Sequence, residues 1–218
     1  MRFVVTAGPT REHLDPVRFL SNPSTGRMGF AVAAEAASRG FEVDLVAGPV
    51  ALRTPRGVRR TDVVSAREML AAVRAAVDRR TDDEVVVVAV AAVADWRPAA
   101  RAAHKLKKRE MSPFLRLVRN PDILRTLARV RARSASGRVL RLVGFAAETD
   151  RVLEEAARKC RAKGLAFIVA NDVTRPGCGF GTATNRVAFV FPDGGVRRFP
   201  LMSKRLVARR VVDEALRA

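Results

Sequence analysis

The sequence predicts a three-layer α/β/α fold built on a mainly parallel sheet. Short β-branched runs alternate with segments of helical apolar spacing along the chain, the pattern of a parallel sheet flanked by helices. EVVVVAVAAVAD (84–95) is apolar almost throughout, as a central strand covered on both faces should be. Late in the chain, VAFVFPDGGVRRFPL alternates around PDGG and reads as a β-hairpin, adding an antiparallel strand pair. The 218 residues suffice for one α/β domain with a sizeable core and are too few for two comfortable ones. No linker, repeat or low-complexity segment interrupts them, so residues 1–218 are expected to form one domain.

The elements follow in order. RFVVTAG (2–8) is a buried strand, and after a polar loop GFAVAAEAASRG is a helix with Gly40 as its C′ residue. FEVDLVAG (41–48) is the next strand. VRRTDVV and SAREMLAAVRAAVDRR give strand and helix, with Ser65 and Glu68 spaced as a capping box. Beyond the central strand, WRPAARAAHKLKKREMSP is charged and poorly periodic, and FLRLV reads as a short strand before the helix PDILRTLARVRAR. VLRLVGFAAET (139–149) and LAFIVAND (165–172) are strands around the helix TDRVLEEAARKCRAKG. SKRLVARRVVDEALRA is a closing amphipathic helix. In such sheets ligands bind beyond the carboxyl ends of the strands. The loops at 8–26, 95–112, 146–150 and 171–185 all lie there.

Composition excludes several classes. No apolar stretch nears the roughly 20 residues a bilayer span requires, and MRFVVTAGPT turns polar too quickly for a secretory signal. A cytoplasmic protein with no membrane partner is expected. Cys160 and Cys178 lack metal-ligand spacing and His13 and His104 form no cluster, so two reduced thiols are expected rather than a zinc site or a disulfide. The net charge of +19 would attract any polyanion. Of the 41 basic residues six are lysine, and five of these fall in KLKK and KCRAK; the arginines are spread over most of the chain, as in RAAVDRR and LARVRARSASGR. GxxxxGK[ST] and GxGxxG are both absent, the second strand ends in Val46-Ala47-Gly48 with no acidic residue, and there is no tyrosine. These absences set aside a P-loop, a standard dinucleotide fingerprint and a Tyr-based reductase.

The remaining loops admit two readings each. Ser24, Thr25 and Gly26 stand at the start of a helix, where free N–H groups and the helix dipole attract an anion, and Gly26 and Gly29 let a phosphate approach. A plain N-cap at Ser24 accounts for the same residues. Lys105, Lys107 and Lys108 suit a triphosphate or a leaving pyrophosphate, or form a solvated charge run. Asp95 suits a ribose hydroxyl or a metal-bound water, or caps a loop. Lys159 and Lys163 share a helix face, matching either a polyphosphate or the negative end of the helix dipole.

Taken together, TAGPTREHLDPVRFLSNPSTGRMGFAVA, LVAGPV, AAVADWRP, KLKK, NPDIL, GFAAET, KCRAKG, ANDV, GFG and the asparagine of TATNRV resemble phosphopantothenate–cysteine ligase, the phosphopantothenoylcysteine synthetase of coenzyme A biosynthesis. They occur in family order over nearly the whole chain. The resemblance implies a Rossmann-like, ribokinase-like fold and a two-step ligation. CTP, or ATP in eukaryotic members, would activate 4′-phosphopantothenate as an acyl-nucleotidylate, and cysteine would then displace the nucleoside monophosphate. By the same resemblance Asn22 and Lys105 are catalytic. Arg18, Asn22 and Ala92 bind phosphopantothenate. Gly8, Ser24, Thr25, Gly26, Asp95, Lys105, Pro121, Asp122, Ile123, Leu124, Phe145, Lys159 and Lys163 bind the nucleotide.

Mg²⁺ is implied without assignable ligands. A homodimer, a mobile K-x-KK loop and a separate decarboxylase partner are also implied. The flavin-dependent decarboxylase domain of most bacterial members has no counterpart in these residues, so no flavin is expected. Arg27 and Trp96 stand where lysine and tyrosine are common. Two rival readings remain: a basic nucleic-acid-binding protein, with nucleic acid the less expected partner, and a nucleotide-binding protein without turnover.

Overall fold

The computed structural model describes residues 1–79, 84–133 and 139–218. Among them an eight-stranded sheet comprises β1 (Arg2–Ala7), β2 (Glu42–Ala47), β3 (Val58–Asp62), β4 (Val85–Ala89), β5 (Leu140–Glu148), β6 (Phe167–Asp172), β7 (Val187–Val190) and β8 (Val196–Arg198). Five helices cover it: α1 (Arg27–Ser38), α2 (Ala66–Asp78), α3 (Ile123–Arg133), α4 (Val152–Ala162) and α5 (Lys204–Ala215). The spatial order is β3-β2-β1-β4-β5-β6-β7-β8. Pairing is parallel as far as β6 and antiparallel at β6–β7 and β7–β8. The parallel part is doubly wound, and the winding direction reverses between β1 and β4.

The pleat sorts side chains into two cores. Phe3, Val5 and Ala7 of β1 join Val86 and Val88 of β4 on the face covered by α1 and α5, against Val32, Ala33, Ala36, Val207 and Val211. Val4, Val85 and Val87 face Met69, Val73 and Val77 of α2, Leu127 of α3 and Ala156 of α4. α1 lies so close to β1 that a Cβ on Gly29 would fall 2.5 Å from the Ala7 Cβ and 2.7 Å from the Thr6 carbonyl oxygen. Gly29 is therefore a packing requirement, whatever else approaches it. Arg2 is buried at the start of β1. Its guanidinium donates to the carbonyls of Ala76 and Val77 at the end of α2 and lies 3.5 Å from Asp44. It thus places a cation at the negative end of a helix.

The hairpin, the capping box and the C′ glycine form as expected. Ser65 Oγ accepts from the Glu68 N–H at 3.2 Å, and the Glu68 carboxylate accepts from the Val64 N–H at 2.8 Å. Gly40 takes φ +85° just after α1, and the Phe41 N–H returns to the Ala36 carbonyl.

Two expectations change. The central strand stops at Ala89, because the next residues bind the loop after β1. Ala92 N–H donates to Gly8 O, Thr10 N–H donates to Ala92 O, and Pro9 and Ala92 form a parallel bridge. The short strand expected at FLRLV begins later, at Leu117–Arg119, which pairs with Trp96–Pro98 in a ladder apart from the main sheet, and Phe114 is exposed. Two further short ladders, Arg11–His13 with Phe19–Ser21 and Thr184–Asn185 with Met202–Ser203, are too brief to leave a period in the sequence. Arg80, expected to end the helix begun at Ser65, and part of LARVRARSASGR lie outside the described residues. Among those described, no helix is long and apolar enough to cross a membrane.

Candidate active site

The reversal between β1 and β4 places a crevice where the loops after these strands part. The polar stretch after β1 is a small hairpin. At its tip Asp15 Oδ1 accepts from the backbone N–H groups of Val17 and Arg18 at 2.8 and 2.9 Å, closing an Asx turn. The returning strand leaves Ser21 donating to Thr10 O at 2.8 Å and Asn22 Nδ2 donating to Ala92 O at 3.0 Å. Ala92 therefore acts through its backbone, as the bridge between the two loops. Asn22 is half-buried and retains its second N–H and its Oδ1 for a ligand.

α1 then starts without a side-chain cap. Its N-cap is Gly26, in the left-handed region at φ +77°, and no acidic residue stands in the first turn. The plain cap at Ser24 is thus overturned: Ser24 Oγ accepts from the Gly26 N–H at 3.4 Å and leaves the helix N–H groups uncovered. These groups face a cleft lined by Gly8, Ser24, Thr25, Gly26, Phe145, Asn171, Asn185 and Lys204. A loop at 179–181 forms its far wall. Thr25 Oγ1 donates to Phe180 O at 3.0 Å and Arg27 Nη1 to Gly181 O at 3.1 Å.

A second cleft also has Phe145 in its lining. Its lining gathers Asp95, Pro121, Asp122, Ile123, Leu124, Lys159 and Lys163, residues scattered over more than sixty sequence positions. Asn120, which carries no assignment in the sequence reading, joins the two segments. Its N–H donates to Asp95 O and its Nδ2 to Ala94 O, both at 2.8 Å.

The lysines here are not free charges. Lys163 Nζ lies 2.8 Å from Asp122 and Lys159 Nζ 2.5 Å from Glu148. Asp122 also accepts from the Arg125 N–H at 3.0 Å and so caps α3. Desolvation raises its carboxyl pKa, but the Arg125 N–H and the Lys163 ammonium outweigh this and hold it below the ordinary value. With both lysines neutralised and Asp95 added, this cleft carries no surplus positive charge. The surplus lies in the first cleft, with Arg27 and Lys204.

Lys105 and Arg18 line a third depression with Leu106, Lys107, Lys108 and Met111. Asp15 organises it. Its carboxylate takes the Arg18 guanidinium, with Nε at 3.0 Å, and the Leu106 N–H at 3.3 Å, while Arg18 Nη2 donates to Leu106 O at 2.9 Å. Burial raises the Asp15 pKa. The hydrogen bonds from Arg18, Val17 and Leu106 more than reverse this and hold it well below the usual carboxylate range. Among the described residues no group of three or more His, Cys, Asp or Glu side chains could cage a metal ion.

Strand order and crevice define a doubly wound α/β protein whose ligand groups converge at the switch point. The chain belongs to the family described as the DNA/pantothenate metabolism flavoprotein C-terminal domain, which it matches over residues 1–218. It is 43% identical over 217 residues to the coenzyme A biosynthesis bifunctional protein CoaBC of Escherichia coli K12, covering 98% of this chain and 51% of that protein. The Bacillus subtilis CoaBC is 43% identical over 212 residues, covering 97% of this chain and 50% of that protein. The chain thus spans about half the length of the curated relatives it matches. The crystal structure of a CoaBC C-terminal domain superposes with a TM-score of 0.77 at 40% identity, covering 98% of this chain and 92% of that one. A Cab2 variant in complex with phosphopantothenate-cysteine shares the fold at a TM-score of 0.77 and 16% identity, covering 99% and 87%.

The sequence reading assigned no role to Asn120, Asn171, Asn185 or Lys204. The three asparagines stand inside stretches that carried the resemblance, but a lone polar side chain whose partners come from distant segments has no spacing signature. Lys204 looked like an ordinary first-turn residue of the last helix.

Proposed function

We propose that this chain is a phosphopantothenate–cysteine ligase acting in coenzyme A biosynthesis with CTP as the activating nucleotide. What supports this most is the convergence of the assigned nucleotide residues other than Lys105 on two clefts that share Phe145, while the Asn22 amide is tied to the Ala92 carbonyl and Arg18 and Lys105 line the third depression. CoaBC carries coenzyme A biosynthesis in its name.

The charge distribution suggests how the nucleotide lies. The neutralised second cleft suits the nucleoside, with the Asp95 carboxylate accepting from ribose hydroxyls. The uncapped start of α1 suits the phosphates. A carboxylate oxygen of 4′-phosphopantothenate attacks the α-phosphorus, and the bond to pyrophosphate breaks. Lys105 is assigned to the charge of that leaving group and Arg18 to phosphopantothenate. The cysteine amine then attacks the acyl carbon, the bond to CMP breaks, and the amine proton passes to solvent. Asn22 donates its free N–H to the acyl oxygen as negative charge grows there.

Mg²⁺ ordinarily binds through one or two carboxylates plus substrate phosphates. Among the described residues no cluster of three or more His, Cys, Asp or Glu would hold the ion by itself, so Mg²⁺ would be carried mainly by the substrate phosphates, whose charge it would neutralise. CTP is favoured over ATP because AAVAD and NPDIL match bacterial members. A homodimer, a cytoplasmic location and a decarboxylase partner belong to the same reading. The test is pyrophosphate release with phosphopantothenate and each of the four nucleoside triphosphates. CTP should support it best, and silence with both CTP and ATP would end the proposal.

A further inference from the structure

Lys204, the first residue of α5, is 8% exposed and lines the cleft at the start of α1. Its setting opposes a positive charge in three ways. It stands at the positive end of α5, whose cap is Ser203 Oγ accepting from the Leu206 N–H at 3.2 Å. Burial disfavours its charge most and the nearby Arg27 disfavours it further, so its ammonium titrates below the ordinary lysine value. Among the described residues no carboxylate pairs with it. Its hydrogen-bond acceptors are the carbonyls of Phe180 at 3.2 Å and Gly179 at 3.4 Å, long for a charge-assisted bond. A buried ammonium held only by two distant dipoles, facing uncapped helix N–H groups, lacks a counter-charge.

We infer that Lys204 is a polyphosphate-binding residue: its ammonium supplies the cation to the anion that Ser24, Thr25, Gly26 and the N–H groups of α1 receive. The anion's identity as a nucleoside triphosphate rests on the ligase reading; the site itself does not. Binding would transfer the ammonium from the 179–180 carbonyls to phosphate oxygens. Phe180 O would remain bonded to Thr25 Oγ1 at 3.0 Å, so the far wall of the cleft would stay in place.

Inorganic tripolyphosphate is the probe, bound to the whole chain and followed by calorimetry. K204M, which keeps the apolar stem and removes the charge, should weaken binding about tenfold or more. K204R, which keeps the charge, should recover part of the loss. Without ligand, K204M should melt at or above the wild-type temperature, because an uncompensated buried cation is gone. Wild-type affinity in K204M overturns the proposal.

Should K204M fail to fold, the wild type decides. With six lysines in the chain, side-chain ammonium NMR resolves Lys204, assigned through K204R. A tripolyphosphate-dependent shift of that resonance is expected, and an unmoved resonance at saturation overturns the proposal. Absence of pyrophosphate release would instead remove the ligase reading and leave the polyphosphate result standing.

Discussion

Asn22 is held by a relay that begins three residues outside β1. Thr10 O accepts from Ser21, Thr10 N–H donates to Ala92 O, and the same Ala92 oxygen takes the Asn22 amide. Asn22→Asp preserves shape but puts a carboxylate against that oxygen and against the developing acyl oxyanion. One lost donor of this kind costs roughly 3 kcal/mol of the barrier, and a repelling charge costs more. In the proposed mechanism the activating step depends on other groups. The expected outcome is a burst of pyrophosphate without matching product, with the acyl-nucleotide visible by mass spectrometry. Equal slowing of both steps would remove the role. Asp15 makes a different prediction. Its carboxyl is held below its unfolded value of about 4, so the stability it contributes is present in full above that value and is lost as pH falls through the lower, folded one. The melting-temperature gap between wild type and Asp15→Asn should be widest near neutrality and close toward pH 2. A gap independent of pH would mean that the ionised carboxylate does not hold Arg18 and Leu106.

Among the elements, α1 carries the tightest constraint. Its contact with β1 at Gly29 sets both the helix position and the direction of the N–H groups at its start. Gly29→Ala must push the helix off Ala7 and Thr6, an overpacking expected to cost about 1–3 kcal/mol. The denaturant midpoint should fall accordingly, and tripolyphosphate affinity should fall with it, since Gly26 and Thr25 move with the helix. An unchanged midpoint would show that the helix–strand contact has slack. β4 is the complementary case. It is cut short at Ala89 so that Val90 to Asp95 can bind the loop after β1, and this gives the crevice its inner edge.

For the whole molecule, the charge of +19 is read most simply as a diffuse field over a site with its own charge pattern. The arginines that stud the helices should attract any polyanion weakly, with an affinity falling steeply between low and physiological salt. The protein is expected to bind a heparin or DNA column at low salt and elute on raising it, with Asn22→Asp eluting alike. Binding that resists salt and depends on DNA sequence would revive a nucleic-acid function. Cleft chemistry is separable from this field: in the second cleft Lys159 and Lys163 are matched by Glu148 and Asp122, whereas Lys204 is unmatched by any carboxylate among the described residues.

Periodicity and residue type alone determined the alternation of strands and helices, the capping box at Ser65, the C′ glycine at Gly40 and the late hairpin, because each rests on neighbours a few positions apart. The order of the strands, the shortening of β4, the pairing of 117–119 with 96–98 and the uncapped start of α1 were decided by tertiary packing. Each depends on which distant loop competes for the same backbone groups. The same division runs through the site. The family resemblance pointed to Asn22 and the residues of the second cleft, which stand in compact signatures such as NPDIL. It did not reach the pairing of Lys163 with Asp122 or the isolation of Lys204. A charge's partner is set by three-dimensional proximity and desolvation, and neither leaves a period in the chain.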